Sequence, residues 1–400
     1  NWGRTVGGSH LYVGAAAEAL SRQHDVTVLH QFDDLSNAYM AEFLDLDLSR
    51  VEFRLIPRLA NAEAGAATRN PLARHQSAVR KHADVSAEFD LFVGNFSFQV
   101  PAFNHSPRGV LVVDFPFKDY DWWHDFGQSP PRWTSPRGAL RRLYRRYIWG
   151  ERFASYHRDL VNSEFTRGWM KRRWFIDSTV VYPPCRDAIA PAEKRPIILA
   201  VGRFVPDKKA DVLVEAFRTL CDQGLRGWEL VLAGGLPGSE WEGADSYLEN
   251  LKQRAQGYPI DLRMDVPGPD LTRLFETAAI FWHAKGYQVD AEVHPEHMEH
   301  FGIVTVEAMI AGCVPIVFAG GGQPEIVNDG ADGVLWRTQE ELADRTRDLI
   351  SNPDRLRELS GRAVGRGNTF SKDAFVSRFI NAVSDLLPGQ RDRLALQSKS

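Results

Sequence analysis

The chain has 400 residues, 44% hydrophobic and 25% charged, with a formal net charge of −4. This describes a globular protein, most simply of two domains, and the slight acidity argues against a general nucleic-acid binder, which carries a basic surface. Cys185, Cys221 and Cys313 show no metal-like spacing and read as reduced cytosolic thiols; no apolar run nears the eighteen or so residues of a membrane span, and no leader pattern is read.

The first residues run directly into Gly7-Gly8 with no strand before them. A Rossmann-type half opens with a strand before its glycine loop, so the sequence reads as trimmed at its start. Alanine and leucine recur at helical spacing from Ser9 to His24, and Asp25 to His30 reads as a buried strand. A glycine turn ahead of a helix suits a phosphate, although Gly7-Gly8 alone serves equally as a plain tight turn. Further strands are expected at Val51–Leu55, Asp90–Val93 and Gly109–Val113, with helices between several of them. Asp114 closes the last of these, where open α/β sheets keep their ligands; the alternative is an ordinary strand-end carboxylate. Arg141 to Trp149 interleaves arginines with aromatics. It fits either a peripheral contact with an anionic membrane or an amphipathic helix packed on the sheet with its arginines in water. Asp159–Ser163, a helix over Glu164–Arg172 and Ser178–Pro184 complete a first domain over 1–184, and 185–196 reads as the linker.

The second half opens with a strand from Pro196, a loop from Arg203 to Lys209, and a helix from Asp211 that Gly224 ends. Arg203 and Lys208 lie after a strand, where two cations fit a diphosphate gaining negative charge. A planar fork and a point charge are not redundant. Lys208 is preferred over its neighbour Lys209. Strands follow at Trp228–Gly234, Ile260–Val266, Ile280–His283 and Val314–Phe318. Helices are expected at Tyr247–Gln256, Asp270–Ala278, Glu340–Ile350 and Lys372–Leu387, and Gly320 to Glu325 reads as a loop rimming a ligand site. The domain runs over 197–370, a last helix over 371–388 and a polar, frayed tail over 389–400.

Within this half, Glu299 and Glu307 flank the turn Phe301-Gly302 and a short helix ended by Gly312. Gly302 leaves room for a ligand against the backbone, and the N–H groups of Ile303 and Val304 open a helix whose positive end seats a phosphate. Carboxylates on either side of a diphosphate are better used on sugar hydroxyls.

Glu-x7-Glu with an internal Phe-Gly-Ile, and the trailing Glu-Ala-Met-x-Ala-Gly-x-x-Pro-Ile-Val, resembles the signature of retaining glycosyltransferases of family 4, and Val-Gly-Arg-x4-Lys and Val-Tyr-Pro-Pro are similar to that family too. The resemblance implies an α/β protein of GT-B fold, with two Rossmann-like domains of parallel sheet facing a cleft, and the last helix crossing back to the first domain. It further implies a nucleoside diphosphate sugar as donor, a glycan or lipid-linked acceptor, and no metal or other cofactor. Glu299 would touch the donor sugar, the backbone of Phe301, Gly302, Ile303 and Val304 the phosphate, Glu307 the ribose, Arg203 and Lys208 the leaving diphosphate, and Gly7 and Gly8 the same diphosphate from the first domain. Similar mannosyltransferases carry a histidine where this chain has Asp114, which accepts a hydrogen bond from a hydroxyl but, when ionised, donates none. His-Pro-Glu before the motif favours GDP-mannose; UDP-hexoses stay open. The expected place is the cytoplasm, with peripheral membrane contact through 141–149 as the sharper option.

His294, His297 and His300 invite a metal reading, but Pro295 and the loop spoil a rigid face for ligands. Asp45-Leu46-Asp47 imitates a metal-binding Asp-x-Asp without the strand-end context, and reads as a surface helix or turn. A sugar-nucleotide epimerase on the same fold and a catalytically silent nucleotide-sugar binder are the rival readings.

Overall fold

The structure is a computed structural model that describes residues 8–30, 41, 45–56, 84–96, 103–116, 151–186, 189–236 and 244–387. Two units divide the chain, one over Tyr182–Phe375 and one holding most of the N-terminal half together with Val376–Ser400.

In the N-terminal unit the alanine-rich stretch forms helix α1 (Gly8–Ser21), which buries Leu11, Tyr12 and Ala15. It leads into β1 (Val26–His30), parallel to β2 (Val51–Leu55). Strands β3 (Phe92–Phe96), β4 (Gly109–Val113), β5 (Arg158–Val161) and β6 (Thr179–Val180) form a second parallel sheet in that order. Every residue of β4 is buried, as befits an apolar run covered on both faces. The strand expected at Asp90–Val93 is displaced, because its ladder begins where Phe92 donates to Arg108. The strand expected up to Ser163 stops at Val161, because Ser163 caps helix α2 (Glu164–Trp174) by accepting from the Thr166 N–H. β6 has only two residues; Pro183 and Pro184 have no N–H to extend it. Near the C-terminus, Phe379 meets Tyr12 edge to face and Arg158 pairs with Asp385 at 2.9 Å.

The unit over Tyr182–Phe375 carries a six-stranded parallel sheet. Its strands are β7 (Arg195–Val201), β8 (Glu229–Gly234), β9 (Ile260–Met264), β10 (Ala278–His283), β11 (Val314–Phe318) and β12 (Val334–Trp336). Their order is β12-β11-β10-β7-β8-β9. The first strand is central, the next two lie to one side and the last three to the other, which is the strand order of a dinucleotide-binding fold. Period-two alternation divides the apolar runs between two cores. Ile198, Ala200, Leu230, Leu232, Ile280 and Trp282 join helix α3 (Ala210–Asp222) on one face. Ile197, Leu199, Val231, Ala233 and Phe281 join α4 (Ile303–Ile310) on the other.

Two details differ from the sequence reading. β9 ends at Met264 because Asp265 turns to φ 50°. Helix α5 (Pro353–Gly367), started by Asn352 accepting from Arg355 N–H with Pro353 in the first turn, was not expected. Within the segment read as a linker, Cys185 and Ile189 are buried in the second core and Cys185 bridges to Ser371.

Candidate functional site

β7 and β10 are neighbours where the strand order reverses, the place where such sheets bind ligands. The chain leaves β7 through Gly202 and Arg203, makes a 3₁₀ turn over Pro206–Lys208, and enters α3 through Lys209 at φ 57°. β10 ends in the buried His283, with Lys285 just beyond. The chain then returns through a second 3₁₀ turn, Pro295–His297, and the buried Met298 to Glu299.

These ends meet at one carboxylate oxygen. Lys208 Nζ donates to Glu299 Oε2 at 3.0 Å, and His283 Nε2 lies 3.1 Å from the same atom. Lys285 Nζ is 3.3 Å from Asp207 Oδ2, and His297 Nδ1 is 3.2 Å from the other Asp207 oxygen. Burial disfavours the charged form of Glu299, but Lys208, Lys285 and His283 outweigh it and hold the carboxyl well below its usual range. Burial pulls Lys208 down, partly opposed by Glu299. Burial also lowers His283, and holds His300 down to about 3 with help from the Lys285 charge.

Gly302, at φ 122°, sits one residue before α4, in a conformation that glycine adopts without penalty. A Cβ there would lie 2.6 Å from Gln323 Nε2. The first N–H groups of a helix have no intrahelical partner, and among the described residues no hydrogen bond is made by those of Ile303 and Val304. The Gly320–Gln323 loop backs this turn, with Gly322 N–H donating to the Glu299 carbonyl at 2.8 Å. The Phe301 ring stacks on Tyr182 at 5.4 Å and meets Phe370 at 5.6 Å. Only its backbone is available to a ligand.

Glu307, which the resemblance assigns to the ribose, meets a cation within the fold. It is 2% exposed within α4, and the Arg186 fork takes both its oxygens, Nε to Oε1 at 2.8 Å and Nη2 to Oε2 at 3.2 Å. A partner 121 positions away leaves no trace in spacing. His283 did leave one, since it closes a strand at the sheet's carboxyl end as Asp114 does.

Arg203 is exposed just past β7. In the N-terminal unit, Gly8 opens α1, and the next residue, Ser9, donates its hydroxyl to Asp114 Oδ2. The Asp114 carbonyl accepts from Asn162 Nδ2 at 2.9 Å. Gly7 and the 141–149 segment lie outside the described residues. Asp47 accepts from Ser49 N–H at 3.1 Å and Asp45 stands at φ 54°, the geometry of a turn. His294, Glu296 and His297 bring their ligand atoms within 4.8 Å of one another. Both imidazoles are more than half exposed and face carboxylates, Glu296 and Asp207. Among the described residues no helix is long and apolar enough to cross a membrane.

Residues 184–364 match the model of the family described as glycosyl transferases group 1. A D-inositol 3-phosphate glycosyltransferase of Nocardia farcinica is 32% identical over 187 residues, covering 46% of this chain and 38% of that protein. The human alpha-1,3/1,6-mannosyltransferase ALG2 is 27% identical over 284 residues, covering 64% of this chain and 65% of its own length. The human GDP-Man:Man(3)GlcNAc(2)-PP-Dol alpha-1,2-mannosyltransferase is 25% identical, over 57% of this chain and 48% of that protein. The chain thus spans less than two thirds of each of these relatives. Anabaena Alr3699/HepE, solved in complex with UDP-glucose, superposes with a TM-score of 0.63 at 15% identity, over 95% of this chain and 97% of that one. At that identity the likeness establishes the fold, which is GT-B, and the resemblance of 184–364 to group 1 glycosyltransferases stands on the sequence match.

Proposed function

We propose that this chain transfers a hexose from a nucleoside diphosphate sugar to a hydroxyl of a glycan or lipid-linked acceptor, with retention at the anomeric carbon and without a metal. The observation that carries this reading is Glu299. One of its oxygens is fixed between Lys208 and His283, and no hydrogen bond to the other is found among the described residues. The strongly depressed carboxyl is an acceptor-only group suited to sugar hydroxyls. Beside it, the N–H groups of Ile303 and Val304 and the positive end of α4 suit the diphosphate.

In this reading, the bond from the anomeric carbon to the diphosphate oxygen breaks as the acceptor oxygen attacks from the same face. The departing phosphate oxygen takes the acceptor's proton. Arg203 and Lys208 stabilise the charge that develops on the leaving group, most strongly in the transition state. They supply the positive charge that a metal would otherwise bring. GDP-mannose is the favoured donor, supported by relatives named as GDP-Man mannosyltransferases. UDP-hexoses are the competing class, supported by the UDP-glucose complex on the same fold.

A thermal-shift panel of nucleoside diphosphate sugars selects the donor, since a ligand of the native state raises the melting temperature. Product analysis with that donor and a hydroxyl acceptor then reads the anomer and the effect of a chelator. Inverted product, or activity abolished by chelation, overturns the corresponding part of the proposal. Conversion of the donor sugar in the absence of acceptor would favour the epimerase instead.

A further inference from the structure

Glu299 does not orient itself. Its fixed oxygen is held by an ammonium from the loop after β7 and by a ring from the end of β10. The ring in turn has a neighbour on its far side. Gln323, wholly buried, places Nε2 3.4 Å from His283 Nδ1, while its Oε1 has no hydrogen-bond partner among the described residues.

Hydrogen-bond chemistry assigns these contacts. An ionised carboxylate only accepts, so His283 Nε2 carries the proton and donates it to Glu299. A neutral imidazole has one N–H, so Nδ1 is the acceptor, and the Gln323 amide nitrogen donates to it. Burial favours that neutral ring, lying as it does beside Lys208 and Lys285. Space is made for Gln323 by Gly302, where any side chain would collide with the amide. One glutamine therefore touches both the histidine that orients Glu299 and the turn that opens the phosphate-binding end of α4.

We propose that Gln323 and His283 are positioning residues for the donor sugar. Gln323 fixes the tautomer of His283, and His283 with Lys208 fixes Glu299 Oε2, so that Oε1 is left to accept from a hydroxyl of the sugar. The inference rests on the reading of Glu299 given under the proposed function. Glutamine at 323 is required for its donor group: leucine supplies none, and glutamate would present an acceptor to Nδ1 and force either the other tautomer or a charged ring.

Two measurements test this. Nitrogen NMR of the ¹⁵N-histidine-labelled wild-type chain at pH 7.5 reads the tautomer with no donor present, and an Nε2–H ring at His283 is expected. An Nδ1–H ring overturns the proposal whatever the enzyme's substrate. The second measurement compares the affinity of the selected nucleoside diphosphate sugar with that of the bare nucleoside diphosphate. In Gln323→Leu and His283→Leu the sugar's contribution is expected to fall about tenfold, with bare-nucleotide affinity unchanged within about twofold; His283→Gln, which keeps a donor near the Nε2 position, restores much of it. Equal losses for both ligands, or an unchanged ratio, overturn the positioning role. Failure of every nucleoside diphosphate sugar to bind the wild type overturns the proposed function and the sugar-positioning role with it, leaving the tautomer assignment to the NMR alone.

Discussion

Glu299 and Glu307 stand eight residues apart in the sequence, yet the structure uses them in opposite ways. Glu299 shares one oxygen between Lys208 at 3.0 Å and His283 at 3.1 Å, and its side chain is 15% exposed. Glu307 gives both oxygens to Arg186, and its side chain is 3% exposed while that of Arg186 is 30% exposed. The first carboxylate has an oxygen left for a ligand; the second is a lock whose solvent-facing half is the guanidinium. Identical residue types flanking one turn thus differ in how much of the carboxylate the protein itself engages. What separates them is the partner each finds in space.

The sharpest way to break this comparison is to remove Lys208, which is bonded to Glu299, or Arg203, the second cation proposed for the leaving diphosphate. Lys208→Ala and Arg203→Ala are expected to lower kcat about 10²- to 10³-fold, the scale seen when one donor to a developing charge is deleted. Little change in either variant, with the donor still bound, would remove the leaving-group role from that side chain.

Removing Arg186 strikes the other corner and should show as stability. In Arg186→Ala the Glu307 carboxylate is left buried and unpaired, at a cost of about 3 kcal/mol, read from the shift in urea midpoint. Pairing it with Glu307→Leu removes the orphaned charge and should recover most of the loss. If Arg186→Ala is neutral, Glu307 is not a brace and its direct contact with the ribose regains priority.

Acid should distinguish the corners again, because the buried His283 and the half-buried His300 adjoin only Glu299. In the unfolded chain His300 titrates near its ordinary value of 6.5, whereas burial delays it to about 3 in the fold. Between those values the unfolded state binds more protons, so stability is complete above pH 6.5 and declines as pH falls toward 3. Each such histidine contributes a slope of up to about 1.4 kcal/mol per pH unit. His283, lowered in the same direction, adds to the loss just below 6.5. Urea midpoints between pH 7 and 5 should drop in the wild type and flatten in His300→Gln; identical slopes would contradict the burial argument.

Much of the fold could be read from local pattern. The central strands β7, β8 and β10 are apolar runs buried on both faces, and such runs announce themselves. The glycine turn and the cation loop were likewise visible, because Gly302, Glu299, Arg203 and Lys208 sit at fixed offsets from strand and helix ends. The braces were not. Arg186 with Glu307 and Gln323 with His283 join residues 121 and 40 positions apart, and only the closed sheet brings such pairs together. The packing of Phe301 was hidden for the same reason, since its aromatic partners Tyr182 and Phe370 lie far along the chain.

The smallest expected effect settles which of two adjacent lysines serves the Glu299 corner. Lys208 is the one bonded to Glu299, while Lys209 occupies the left-handed region at φ 57° between the 3₁₀ turn and α3. A non-glycine residue there costs about 1 kcal/mol, which glycine avoids, although glycine also makes the unfolded chain more flexible and gives part of that back. Lys209→Gly is therefore expected to raise stability by about 0.5 kcal/mol or less and to leave kcat and KM unchanged, in contrast to the collapse of turnover in Lys208→Ala. A loss of turnover in Lys209→Gly comparable to that of Lys208→Ala would mean that Lys209 shares the diphosphate. Its strained backbone would then be held for the ligand rather than for the start of the helix.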